Sequence, residues 1–222
     1  MILLTSQLLF ENSKTWNIKF TKMKYLLIVI TFLLMSFNTD SISVNNKTAI
    51  SIGDSHTANN SYGWQRILCI KTGLKLTNLA VKGKTTSWMF DMAKININKS
   101  FNYCFIYGGA NDMFGDVKPE KAVDNIQKIV NICNSCGVEA VVITGFDPIS
   151  CIPKNPIYAK RYADFQKMLI DRIKGAIIID TRVVSIGDCD DDICHMKLSG
   201  HKKMAFCVIE KMNFKLLEEV KK

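Results

Sequence analysis

A chain of 222 residues is long enough to bury a full core and reads as one domain behind a short leader. Hydrophobic residues make up 48% and charged residues 22%, with only four prolines, which excludes a disordered or low-complexity chain. The formal charge is +9, but the lysines are scattered, no basic cluster is interleaved with aromatics, and neither a helix-turn-helix nor a zinc-finger spacing occurs, so nucleic acid is not an expected partner.

The first 43 residues differ from the rest. Lys22 and Lys24 precede an apolar run from Tyr25 to Met35, followed by the polar stretch "SFNTDSIS", which is the pattern of an export signal. The run is well short of the roughly 20 residues of a spanning helix, so a cleaved signal is expected over a membrane anchor, and membrane contact only through an uncleaved segment. Ser41-Ile42-Ser43 offers a small-x-small cleavage site, and Met23 is an alternative start. Residues 44–222 then form the domain, with 25 basic against 18 acidic residues, and are expected to be secreted or periplasmic. Eight cysteines suit an exported protein with some disulfides; Cys133, Cys136, Cys151, Cys189 and Cys194 lie at element ends or in loops, where pairing is open to them.

From Lys47 onward, short apolar runs alternate with amphipathic stretches of helical length, the signature of parallel βαβ units. Strands are predicted at Thr48 to Ile52, Leu74 to Leu79, Tyr103 to Tyr107, Val138 to Thr144 and Ala176 to Asp180. Helices are predicted at Tyr62 to Thr72, Thr86 to Ile95, Pro119 to Ser135 and Ile157 to Ile173, with a last one capped by Ser199 and running to about Val220. The expected fold is α/β, a three-layer α/β/α sandwich around a five-stranded parallel sheet. Pro148, Pro153 and Pro156 disfavour a helix between Phe146 and Pro156, which reads instead as a stiff wall or lid.

The unusual residues cluster after strand ends. Gly53-Asp54-Ser55 follows the first strand, Gly83 the second, Gly109-Ala110-Asn111-Asp112 the third, and Asp188 to His195 the fifth. In an open parallel sheet these ends share one rim. A serine hydroxyl there needs a base within hydrogen-bond reach and a third group to orient that base. Of three histidines, His56 is tied to the same turn as Ser55 and His201 lies within the last helix, which leaves His195, with Asp192 three residues before it. Acyl transfer also needs donors for a developing oxyanion, and the Ser55 N–H, the Gly83 N–H and the Asn111 amide are available. Glycine at 83 would let backbone approach without a Cβ.

"GDS" after the first strand, a lone glycine after the second, "GAND" after the third and "DICH" near the C-terminus together resemble the SGNH, or GDSL-type, hydrolases, over about residues 48 to 206. The resemblance implies Ser55 as nucleophile, His195 as base, Asp192 as its partner, and Ser55, Gly83 and Asn111 in the oxyanion hole. It further implies a flavodoxin-like sheet, no cofactor or metal, and an ester hydrolase similar to the compact bacterial esterases and thioesterases. His56 stands where that family usually has leucine, which favours a small or sugar-borne acyl group. The expected substrate is a small-molecule or glycan ester. An O-acyltransferase of the same fold, or a glycan- or surface-binding module without activity, are the alternatives.

The bland readings are an N-cap for Ser55 and a loop histidine for His195. Asp188, Asp190 and Asp191 read as a solvated acidic loop, since the spacing fails as a calcium loop at Ile193 and Ser199. Asp54 and Asp112 read as groups bonding local backbone. A disulfide between Cys189 and Cys194 would staple the loop around Asp192. Trp88, Met89, Phe90, Met113, Phe114 and Phe146 are candidates for either an acyl pocket or the core.

Overall fold

The computed structural model describes residues 41–59, 61–190 and 195–217. Five parallel strands, β1 (Thr48–Gly53), β2 (Lys75–Asn78), β3 (Tyr103–Tyr107), β4 (Glu139–Ile143) and β5 (Ile177–Ile179), form one sheet in the order β2-β1-β3-β4-β5. The inner strands "YCFIY" and "AVVI" are buried on both faces, as an all-parallel sheet requires, and this is why they are apolar runs without alternation. The order is that of flavodoxin-like sheets. Its switch point lies between β1 and β3, because the chain first steps outward to β2 and then returns across β1 to continue the other way.

The connecting helices are α1 (Trp64–Thr72), α2 (Thr86–Asn96), α3 (Ala110–Phe114), α4 (Pro119–Ser135), α5 (Pro148–Cys151), α6 (Pro156–Arg172) and α7 (Leu198–Lys211). Helix α1 packs on α7, while α2, α4 and α6 pack side by side, which gives a helical layer on each face of the sheet. Trp64, Leu68, Met204 and Val208 fill one interface, and Met89, Ile126, Ile129, Phe165 and Leu169 contribute to the other. Proline starts α4, α5 and α6 at a position where its missing N–H costs no helical bond.

The predicted strands and long helices stand within a few residues of their observed ends, with three differences. The three prolines do not abolish helix between Phe146 and Pro156: Pro148 opens the single-turn α5, whose N-terminus is capped by the Asp147 carboxylate accepting from the Ile149 N–H (3.1 Å). Ser199 is not the cap of the last helix but its second residue, behind an extended Lys197. That helix also stops at Lys211 instead of near Val220. Asn213 turns the chain at positive φ, and Phe214 comes back beside Ile42. There the Ile42 N–H donates to Asn213 O (2.6 Å) and the Lys215 N–H to Ile42 O (2.8 Å). The apolar run from Tyr25 to Met35 lies outside the described residues.

Candidate active site

The carboxyl end of β1 delivers Ser55. Strand β1 ends at Gly53, and the chain then makes a tight turn in which the Asp54 carbonyl accepts the N–H groups of Thr57 (3.1 Å) and Ala58 (2.9 Å). The Asp54 carboxylate closes the same turn from inside, accepting the His56 N–H at Oδ1 (3.1 Å). Ser55 at the crest of the turn is left half-buried, with its hydroxyl toward the rim.

His195 arrives from the other end of the chain. After β5, a 3-10 turn (Ile186–Asp188) leads to an antiparallel pairing of residues 189–190 with 195–196, made by a Cys189–Met196 bridge and by the Asp190 N–H donating to His195 O (2.7 Å). The 3-10 turn is fastened to α7, where Lys203 Nζ lies 2.6 Å from a buried Asp188 carboxylate. Asp188 is therefore an anchor, unlike the exposed Asp190, and not part of a solvated loop. The result is a contact between residues 140 positions apart: His195 Nε2 stands 3.3 Å from Ser55 Oγ. Asp192, proposed from sequence as the partner of His195, lies outside the described residues, as does Cys194.

Cys189 is bonded to Cys151, 38 residues earlier, and not to Cys194. The reason is tertiary: the end of α5 lies beside Cys189, with the two Cα atoms 5.7 Å apart, within the normal span of a disulfide. The staple expected between Cys189 and Cys194 is replaced by a tether from Cys189 to the segment that follows β4.

The remaining rim residues come from β2 and β3. Gly83 follows β2 in a turn and has φ +74°, which an L side chain rarely adopts. A Cβ at this position would meet no atom of the described residues within 4 Å, so within the protein the glycine answers to its backbone angle. Asn111 sits in the first turn of α3. Its Nδ2 donates to Lys84 O (3.1 Å) and lies 3.4 Å from Asp54 Oδ2, which ties the Gly83 segment, β3 and the Ser55 turn together. Asp112 acts over a distance instead of locally: its carboxylate accepts both the Thr86 N–H (2.8 Å) and the Thr86 hydroxyl (2.6 Å), bolting α3 to the start of α2.

His56 and His201 complete the surroundings. The His56 ring is buried among Tyr107, Phe146 and His195, with centroids 5.5, 5.3 and 5.6 Å away. His201 is buried at the start of α7, and burial pushes its pKa down to about 4, so it is neutral at pH 7. Together with Ser55 and His195 they border a cleft of about 420 Å³ whose other walls are Ala58, Asn59, Ser61, Tyr62, Lys82, Asp190 and Met196. None of the six apolar residues considered for an acyl pocket lines it. Met89, Met113 and Phe146 are core, Trp88 and Phe90 pack against the core, and Phe114 is exposed beside Tyr158. Among the described residues no group of three His, Cys, Asp or Glu side chains is arranged to hold a metal.

Asp54 is the electrostatic anomaly of the site. Burial pushes its carboxyl up to about 7, helped by the nearby Asp112 and opposed by the His56 N–H and His195. A raised carboxyl means that the folded chain keeps a proton which the unfolded chain releases near pH 3.8, so this group lowers stability as pH rises from about 4 to about 7. Asp54→Asn keeps the acceptor for the His56 N–H and removes the titration. Its stability relative to the parent should rise by about 1.4 kcal/mol per pH unit across that window and level off above it. Denaturant midpoints of both proteins at pH 5 and pH 8 measure this; parallel profiles would mean that Asp54 is already ionised. His201 has the opposite dependence, losing stability as pH falls from 6.5 toward 4, but it is common to both proteins and cancels.

No family model matches this chain, and no curated protein matches it either. Solved structures do. A member of the lipolytic protein G-D-S-L family from Veillonella parvula DSM 2008 superposes with TM-score 0.64 at 14% identity, covering 74% of this chain and 97% of that one. TesA gives 0.60 at 16% identity, over 75% and 98%. Axe2, an acetylxylan esterase from Geobacillus stearothermophilus, gives 0.60 at 14% identity, over 78% and 98%. At such identities the likeness is one of architecture: the chain has the α/β fold that these lipolytic and esterase structures share.

Proposed function

We propose that this chain is a serine esterase of the SGNH type that hydrolyses a carboxylic ester with a short acyl group, of the O-acetyl kind, through an acyl-Ser55 intermediate. The observation that carries the reading is the 3.3 Å approach of His195 Nε2 to Ser55 Oγ at the switch point of the sheet. A helix N-cap and a loop histidine, the bland alternatives, give no reason for that meeting. In Axe2, structures of catalytic mutants replace a serine, an aspartate and a histidine, the aspartate three positions before the histidine, which is the spacing of Asp192 and His195 here.

In this mechanism His195 Nε2 takes the Ser55 proton as Oγ bonds to the ester carbonyl carbon, and the carbonyl π electrons move onto oxygen. The oxyanion is met by the Ser55 and Gly83 N–H groups and the Asn111 amide. As the tetrahedral adduct collapses, the C–O bond to the alcohol breaks and His195 returns the proton to the leaving oxygen. Water then repeats the sequence on the acyl-serine and releases the acid. Asp192 is assigned the role of holding His195 in the required tautomer. A short acyl group suits the cleft, whose aliphatic lining among the described residues is Ala58 and Met196. Export belongs to the same proposal; the Lys22/Lys24 signal pattern and the Cys151–Cys189 bond, a feature of oxidising compartments, support it.

Fluorophosphonate labelling followed by intact mass tests the reading without knowledge of the substrate. One adduct per parent chain is expected, none on Ser55→Ala, and labelling slowed at least about 100-fold in His195→Ala. A folded parent that takes no adduct overturns the proposal.

A further inference from the structure

Tyr62 is held in a way its own fold does not need. Tyr62 is 48% exposed, yet the backbone beneath it is fixed by buried and part-buried polar groups. Gln65, itself buried, donates from Nε2 to Thr57 O (2.6 Å) and Asn59 O (2.7 Å), and Asn78 Nδ2 donates to Thr57 O (2.8 Å). The Asn59 side chain accepts the N–H groups of Ser61 (3.0 Å) and Tyr62 (3.2 Å). At the next position only glycine fits, since a Cβ on Gly63 would lie 2.1 Å from Asn59 O. His201 backs the phenol edge-on, at 5.7 Å between ring centroids. A half-exposed aromatic on so rigid a mount gains nothing for the core, and it stands on the wall of the cleft that opens at Ser55.

We infer that this wall is the binding site for the alcohol half of the substrate, and that the alcohol is a neutral pyranose. This rests on the esterase reading above and adds to it the class of the leaving group. A pyranose has an apolar C–H face, which an aromatic ring covers, and a rim of hydroxyls. The cleft supplies both partners: Tyr62 for the face, and Asn59, Ser61 and Asp190 for the hydroxyls. A fatty alcohol would dehydrate those polar groups and leave them unpaired. Among the described residues the cleft has two charged side chains besides the histidines, Lys82 and Asp190, one of each sign, and His201 carries no charge at pH 7, so these walls favour neither an acidic nor a basic sugar.

The test compares two acetate esters, ethyl acetate and methyl 6-O-acetyl-β-D-glucopyranoside, followed by acid release. Tyr62→Ala should lower the kcat/KM ratio of the sugar ester to ethyl acetate about three- to tenfold, as loss of one aromatic contact predicts, and Tyr62→Phe should keep it. An unchanged ratio in a folded Tyr62→Ala overturns the inference. Saturation-transfer NMR with methyl β-D-glucopyranoside separates its failure from that of the esterase reading. Transfer to the sugar ring protons is expected on the parent and on Ser55→Ala and clearly weakened, by about threefold or more, on Tyr62→Ala, whether or not either ester is cleaved. A parent that cleaves ethyl acetate but receives no sugar signal refutes the pyranose site alone.

Discussion

Ser55→Ala should reduce ester hydrolysis by at least about 10,000-fold, to the background of the folded protein, and His195→Ala should cost nearly as much. Both follow from the same contact. Alanine at 55 removes the atom that would carry the acyl group, while alanine at 195 leaves a hydroxyl whose proton has no acceptor within reach. The double variant should be no worse than the worse single one, because the two side chains act as a unit. Neither change touches the core: Ser55 and His195 are half-buried on the rim, so thermal midpoints should stay within a few degrees of the parent. Initial rates on ethyl acetate measure the effect, and a Ser55→Ala protein with more than a few percent of parental turnover would remove the acyl-serine step from consideration.

Asn111→Ala should lower kcat about 100- to 1,000-fold with little change in KM, the signature of a donor used only when charge develops on the carbonyl oxygen. Asn111 also donates to Lys84 O, one residue beyond Gly83, so part of any loss could reflect a displaced Gly83 segment. Asn111→Asp separates the two causes. It has nearly the same shape but offers acceptors where the amide offered donors, and it sets a second carboxyl beside Asp54 Oδ2. It should be as inactive as Asn111→Ala or worse. A purely positional role would instead show itself in KM and in a lower thermal midpoint, with kcat within tenfold of the parent.

Much of this was legible in the residues because it depends on local pattern. The apolar runs mark the central strands, and turn residues after each run mark one rim, which is enough to set Ser55, Gly83, Asn111 and His195 along a shared edge. What escaped was set by contacts between distant segments. Nothing near Cys189 indicates Cys151, because pairing depends on where α5 comes to rest. Asp112 reads as a turn residue, and its bonds to Thr86 exist only once α3 lies against α2. Pro148 reads as a helix breaker in sequence, although the first position of a helix tolerates it. Tyr62 carries no signal in sequence, since its significance lies in how firmly Gln65, Asn59 and Gly63 hold it, and none of the three is distinctive there.

The pairing of Ile42 with the segment after α7 bears on any cleavage at Ser41-Ile42-Ser43. In the folded domain the backbone N–H and C=O of Ile42 are both bonded, to Asn213 and Lys215, and Val44 two residues on is fully buried. Proteolysis needs a stretch of backbone that can leave its neighbours and enter another protein's groove. A peptidase acting at Ser41-Ile42-Ser43 would meet such a stretch only while residues 213–215 are still unfolded. Any trimming there would thus have to outrun folding of the carboxyl-terminal segment, and a chain that folds first keeps the bond shielded.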